Sequence, residues 1–159
     1  MVSRNEDVLQ EVKKALWLLC HFGGLGRRSR RGFGSLQIVE GELALKANTT
    51  KELAEALKQW LDTNLQVTSP KQSRVPRFPI LQPNWAQIRI CNREFEDWQK
   101  AIRFVMGKAH RYKDSALGSG SPRQASPVHV HVAKLLNGKH TIVLTTMLYC
   151  LLVLHREQK

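Results

Sequence analysis

The 159-residue sequence has few cysteines, and their spacing does not suit disulfides or a metal. Cys20, Cys91 and Cys150 are odd in number and far apart, and no two of them form a Cys-x-x-Cys pair. This spacing argues against a disulfide framework and against a cysteine-ligated zinc site. A reducing, cytoplasmic location fits best, and we expect neither a metal nor a cofactor.

Long apolar runs are also missing. The first seven residues contain no apolar stretch of the kind that a secretory signal needs. The most apolar stretch, residues 141–154, is shorter than the roughly 20 residues that span a bilayer, and it contains three threonines. We expect no membrane partner. We interpret residues 141–154 as a buried strand whose leucine-rich end could equally continue as a short helix.

Acidic residues are scarce relative to basic ones. The chain has 13 Asp and Glu against 25 Lys and Arg, a formal net charge of +12. This balance indicates an anionic partner and says little about the fold. The 42% of hydrophobic residues is enough for a packed core in a chain of one domain's length.

Arginine and glycine are concentrated together in residues 23–35. Glycine lets a backbone approach a ligand closely, arginine pairs with phosphate, and Phe33 could stack a base or anchor the segment. No Gly-Lys-Ser/Thr follows the glycines, and no third glycine completes a dinucleotide fingerprint. The segment therefore predicts contact with single-stranded nucleic acid. Its predicted binding residues are Gly23, Gly24, Gly26, Arg27, Arg28, Ser29, Arg30, Arg31, Gly32, Phe33 and Gly34.

Two segments resemble the RAMP superfamily of CRISPR proteins. The first, residues 16–36, is centred on Gly-Gly-x-Gly-x-Arg-x-Arg-Arg-Gly-Phe-Gly-Ser-Leu. The second, residues 123–130, is similar to the Arg-x-Ala-Ser-Pro start of a late strand in that family. Within the superfamily, the chain resembles the first-subunit type of the type III-B (Cmr) effector complex. The resemblance adds Arg123 and Ser126 to the predicted RNA-binding residues.

The resemblance implies a ferredoxin-like (RRM-like) α+β fold and a place in antiviral defence. It also implies guide RNA (crRNA), target RNA and other CRISPR effector subunits as partners. Relatives of this type are about twice as long and carry two such folds, and their usual first strand is not visible before Ser3. We therefore expect a shortened or partial form whose sheet is completed by a partner, because an open sheet edge is a liability.

The chain is expected to form a single RAMP-like domain over residues 1–159. Residues 1–61 would hold a first helix, the glycine- and arginine-rich loop and a second helix. Residues 62–84 contain several prolines and predict a loop. Residues 85–159 would hold a strand, a third helix and a C-terminal β-hairpin that turns at Asn137-Gly138 with type I′ geometry.

Each predicted helix has an expected cap and an expected buried face. Ser3 with Glu6, and Thr49 with Glu52, form capping boxes for the first two helices, and Asn92 would cap the third. The expected buried residues of the first helix are Val8, Val12, Ala15, Leu16 and Leu19. Those of the second are Leu53, Ala56, Leu57, Trp60 and Leu61, and those of the third are Phe95, Trp98, Ile102, Val105 and Met106.

Histidine is the remaining residue type with chemical potential. His129 and His131 alternate with valines on one strand, which predicts two imidazoles on a polar strand face; a metal site is the alternative, without a third ligand at suitable spacing. His21 directly precedes the glycine loop. We expect His21 to pack or cap at the helix end, and no pair of general acid and base or cluster of carboxylates is evident in the sequence. We therefore expect a non-catalytic RNA-binding subunit with no catalytic residue. Two alternatives are an endoribonuclease that processes CRISPR repeat RNA with His21, and a basic scaffold that docks other proteins.

Overall fold

The computed structural model describes residues 5–26, 28–65, 81, 86–111, 119–120, 123–124 and 126–147. Within these residues the chain forms three helices and five strands in an α+β arrangement, which confirms the expected class. The helices are α1 (Glu6–Phe22), α2 (Thr50–Asn64) and α3 (Trp98–Arg111). The strands are β1 (Ala86–Ile90), β2 (Ser119–Gly120), β3 (Arg123–Gln124), β4 (Val128–Lys134) and β5 (His140–Met147).

The main sheet is antiparallel, with strand order β1-β5-β4. Strands β4 and β5 form the expected hairpin, but not with the expected turn. Gly138 has a φ of 83°, whereas no described non-glycine residue has a positive φ, so the two positive φ angles of a type I′ turn are not present. Residues 135–139 instead connect the two strands, and the Leu135 N–H donates to Lys139 O at 2.8 Å within this connection.

Helices cover both faces of this sheet. Because successive residues of a strand point to opposite faces, the same strands contribute side chains to two separate cores. On one face α1 and α2 build a core of Trp17, Phe22, Ala47, Leu53, Leu57, Leu135 and Val143. On the other face α3 packs on a core of Phe95, Ala101, Ile102, Val130, Val132 and Ile142. Each large apolar side chain buried in this way contributes on the order of 2 kcal/mol.

Helix α2 forms as its sequence predicts. The Glu52 N–H donates to Thr49 Oγ1 at 3.2 Å, and the Asn48 N–H donates to Glu52 Oε2 at 2.8 Å. The predicted apolar face of α2 packs toward the core, with Leu53 and Leu57 buried. The helix continues to Asn64, past the expected boundary at 61. Most of the expected proline-rich loop, residues 66–80 and 82–84, lies outside the described residues.

Helix α1 differs from expectation at both its cap and its buried face. Asn5 caps the helix, with Oδ1 accepting from the Asp7 N–H at 3.0 Å, while Ser3 lies outside the described residues. Val8 and Val12 are 51% and 40% exposed. Burial is concentrated at the C-terminal end, where the Trp17 ring stacks on Trp60 at 3.6 Å between ring centroids. Only this end of α1 reaches the sheet core.

Helix α3 begins later than predicted, at Trp98, and its cap is Asp97 rather than Asn92. Asp97 Oδ1 accepts from the Lys100 N–H at 2.6 Å. Trp98, expected in the core, is 49% exposed, whereas Ile102 is buried as expected. Phe95 reaches the core from the preceding segment. None of the described helices has the length and hydropathy that a membrane span requires.

Candidate nucleic-acid interface

Residues 23–35, here called the Gly–Arg loop, form a closed loop after α1. The Leu25 N–H donates to Gly34 O at 2.9 Å and closes its neck. Inside the loop, the Arg31 N–H donates to Arg28 O at 2.9 Å and the Gly32 N–H donates to Ser29 O at 3.2 Å. Arg27 lies outside the described residues. These bonds give the loop a defined backbone on which its side chains are displayed.

The loop is fastened along the outer edge of β4. The Val130 N–H donates to Arg30 O at 3.0 Å, next to a parallel bridge between Arg31 and Val130. Two residues further along β4, the Val132 N–H donates to Ser35 Oγ at 3.0 Å. The loop therefore satisfies backbone groups that an open strand edge would leave for another chain. A role for Ser35 was not predicted from the sequence, although this serine directly follows the last glycine of the motif.

A side-chain contact of the loop also joins the two RAMP-like sequence segments. Arg30 Nη1 donates to Ser126 O at 3.0 Å, across 96 positions in the chain. The Ser126 hydroxyl accepts from the Val128 N–H at 3.1 Å and thus supports the start of β4. The backbone of Arg123 belongs to β3, while its side chain lies outside the described part of the structure. The structure therefore brings Ser126 to the loop and describes no side-chain contact for Arg123.

Two glycines of the loop are required by contacts within the protein. Gly34 has a φ of 83°, and a Cβ at this position would overlap the Leu25 carbonyl oxygen. Gly32 has a φ of 84°, and a Cβ would lie 3.2 Å from a Val130 methyl group. By contrast, Gly26 has a φ of 95° and faces open space. Close packing of the loop on itself and on β4 therefore explains glycine at positions 32 and 34.

The three arginines of the loop that the structure describes are exposed. Arg28, Arg30 and Arg31 all lie at the surface. Among the described residues, no carboxylate forms an ion pair with any of the three. Ser29 is half-buried between them. The loop thus presents positive charge to solvent without neutralising it.

Phe33 is half-buried and packs against the core on the α3 side of the sheet. This contact holds the loop to the sheet, in line with the second of the two roles considered for Phe33. A ring held in this way has less surface left on which to stack a base. The packing therefore favours an anchoring role for Phe33.

The prediction of a polar strand face on β4 is wrong for His131. Its side chain is 2% exposed on the α1 side of the sheet, and Nδ1 lies 3.2 Å from Gly23 O. Because a carbonyl oxygen only accepts, Nδ1 carries the proton. Burial lowers the pKa of His131 to about 4, so the ring is neutral near pH 7. The described residues contain no cluster of three or more His, Cys, Asp or Glu that could hold a metal ion.

His21 lies in the core. It is 8% exposed and packs on Trp17, with ring centroids 4.4 Å apart. Burial, and secondarily the nearby His131, lower its pKa to about 4. Its buried Nε2 has no hydrogen-bond partner among the described residues. An acid–base catalyst must reach its substrate, so this position argues against the endoribonuclease alternative.

The chain is similar to known proteins of one superfamily. A model of the RAMP superfamily matches residues 3–37, which include α1 and the whole Gly–Arg loop. The chain is also similar to the CRISPR system Cmr subunit Cmr1-1 of Pyrococcus furiosus. The two are 29% identical over 100 residues, which cover 58% of this chain and 29% of that protein.

The fold matches the crystal structure of apo Cmr1 from Pyrococcus furiosus, with a TM-score of 0.59 and 21% identity. The match covers 92% of this chain and 50% of the Cmr1 chain. The chain therefore spans about half the length of that structure. It is RAMP-like and resembles part of Cmr1, with the ferredoxin-like α+β fold expected from the sequence.

Proposed function

We propose that this chain is a non-catalytic, RNA-binding component of a type III CRISPR effector complex in antiviral defence, in the cytoplasm. The observation that carries the proposal is the Gly–Arg loop. It holds Arg28, Arg30 and Arg31 at the surface without ion-pair partners among the described residues, on a backbone fixed to the sheet. Such a loop needs little ordering when it binds a phosphate chain, which favours affinity.

The arginines would pair with phosphates of the guide RNA (crRNA) or its target. Exposed guanidinium groups suit this role because their planar donors match phosphate oxygens. Sequence would be read by base pairing between guide and target, while the protein binds the backbone. The similarity to a Cmr subunit supports other effector subunits as partners. Arg27, Gly26, Ser29 and Arg123 remain proposed contacts.

The salt dependence of RNA binding tests this proposal. The variant Arg28→Ala/Arg31→Ala removes two charges that form no ion pair among the described residues, and it keeps Arg30 bonded to Ser126. Each phosphate contact to a single strand contributes about 0.7 to the slope of log affinity against log salt. We expect the slope to fall by about 1.4.

The matched control is Lys51→Ala/Lys58→Ala, which removes two exposed charges from α2 on the opposite side of the sheet. This control should leave the slope unchanged. Equal slopes for the wild type and the arginine variant would contradict the proposal. If the loop instead docks an acidic protein subunit, ribonuclease treatment would leave the complex intact while the arginine variant loses that subunit.

A further inference from the structure

A second basic surface lies at the start of α3. The segment 93–96 and the α3 residues Lys100, Arg103 and Phe104 enclose an open cleft of about 370 Å³. The cleft shares no residue with the Gly–Arg loop. It combines guanidinium groups with aromatic rings, the two components that single-stranded nucleic-acid sites use.

The floor of the cleft is held in place by the core. The Phe95 and Phe104 rings have centroids 5.4 Å apart, and Arg93 Cζ lies 5.3 Å and 5.4 Å from them. The Phe95 backbone N–H and C=O each bond to His140 at 2.7 Å. The Arg93 carbonyl accepts from Thr141 Oγ1 at 3.1 Å. The Arg93 guanidinium is thus oriented over two fixed rings.

Charge pairing leaves the arginines of the cleft available. Glu96 is paired with Lys100, and Glu94 lies 3.2 Å from Lys139 Nζ. Arg93 and Arg103 are exposed, and neither has a carboxylate partner among the described residues. Both glutamates of the cleft are therefore already neutralised by lysines, whereas both guanidinium groups can receive an anion.

The cleft lies on the same side of the sheet as the anchor of the Gly–Arg loop. Phe33 of the loop and Phe104 of the cleft both pack against the α3-side core. A Cβ on Gly32 would lie 3.6 Å from Ile102, the residue next to Arg103. The loop therefore sits against α3 itself. We therefore expect a nucleic-acid strand held by the loop to run across α3 to the cleft.

We propose that the cleft receives one nucleotide of the single-stranded RNA held by the Gly–Arg loop. The base stacks on the Arg93 guanidinium, and a neighbouring phosphate pairs with Arg103. An acidic peptide could pair its carboxylates with both guanidinium groups, but it has no base to stack on the planar face of Arg93, so the chemistry favours a nucleotide. This inference rests on the proposed RNA-binding function for the identity of the strand.

Photo-cross-linking of the full chain tests the site directly. A single-stranded RNA of about 12 nucleotides, within the usual site size, carries 4-thiouridine at successive positions, and cross-linked peptides are mapped by mass spectrometry. We expect cross-links in residues 93–104 as well as in the Gly–Arg loop. Cross-links to the loop alone would overturn the cleft and leave the proposed function standing. Cross-links to neither would overturn both.

Two substitutions separate the roles of the arginines. Arg103→Ala should lower RNA affinity about fivefold and reduce the salt slope by about 0.7. Arg93→Lys keeps the charge but loses the planar surface, so affinity should fall about fivefold with the slope unchanged. Lys58→Ala on α2 is the control. Wild-type affinity in both arginine variants would overturn the assignment. Displacement of the RNA from residues 93–104 by polyglutamate as effectively as by unlabelled RNA would also overturn it.

Discussion

Strand β4 separates two regions that use their basic residues in opposite ways. On its α1 side, His21 and His131 are buried in the core, where burial lowers both pKa values to about 4. Along its outer edge, Arg28, Arg30 and Arg31 are exposed on the Gly–Arg loop. The histidines are therefore structural and neutral, and the charge available to a partner belongs to the arginines. His131 links the regions through its bond to Gly23 O.

The largest expected effect comes from breaking the loop while leaving the core intact. Gly34→Ala places a methyl group against the Leu25 carbonyl oxygen in a left-handed conformation, so the loop neck must open. We expect a loss of about 3 kcal/mol or more in the free energy of unfolding, measured by urea denaturation.

Gly41→Ala is the matched control, because Gly41 also has a positive φ, 99°, but a Cβ there would meet nothing within 4 Å. This change should cost only about 1 kcal/mol, the ordinary penalty for alanine in a left-handed conformation. Similar losses in the two variants would show that closure of the loop contributes little to stability.

A second prediction concerns pH and the α1 side of β4. Both histidines have folded pKa values of about 4, below the value near 6.5 expected in the unfolded chain. The unfolded state therefore binds more protons between pH 6.5 and 4. Stability is fully present above pH 6.5 and falls as the pH is lowered, by up to about 1.4 kcal/mol per pH unit for each histidine.

Urea denaturation of the wild type and of His131→Asn at pH 7, 6, 5 and 4.5 measures this dependence. The asparagine keeps a donor for the Gly23 carbonyl and does not titrate, so its stability should fall less steeply with acid than that of the wild type. Identical pH slopes would mean that His131 does not titrate on unfolding as the structure requires.

The smallest expected effect is at the junction of the loop with β4. Ser35→Ala removes the acceptor of the Val132 N–H and the donor to Gly32 O. Losing this junction should cost about 1 to 2 kcal/mol and weaken RNA binding less than removal of the arginines. Thr63→Ala, on the exposed end of α2, is a control that removes only a hydroxyl bond to Gln59 O within the helix.

Local sequence patterns predicted some elements well and others poorly, for physical reasons. The cap of α2 depends on Thr49 and Glu52, three positions apart. In the structure the Glu52 N–H donates to Thr49 Oγ1, and the Glu52 carboxylate accepts from the Thr49 hydroxyl and from the Asn48 N–H. The burial of His131 was not predicted, because alternation along β4 shows two faces and does not reveal that helices cover both. Its contact with Gly23 joins residues 108 positions apart, which no local pattern reports.

The candidate site was predicted in part. The sequence identified the arginine- and glycine-rich segment, and the structure shows Arg28, Arg30 and Arg31 exposed. The sequence did not indicate that Gly32 and Gly34 allow close packing within the protein, nor that Phe33 contacts the α3-side core. These roles depend on where the loop folds back onto β4, which is a tertiary property.

The nucleic acid that the protein carries would decide whether it is an RNA-binding component of a CRISPR effector complex. The chain and its Arg28→Ala/Arg31→Ala variant are each purified with their neighbouring proteins from cells with the native operon, and bound nucleic acid is extracted and sequenced. We predict short RNAs sharing a repeat-derived 5′ sequence, together with CRISPR effector subunits, with less RNA on the variant. Random RNA, or none, on the wild-type protein would show that the chain is not a guide-RNA-binding subunit.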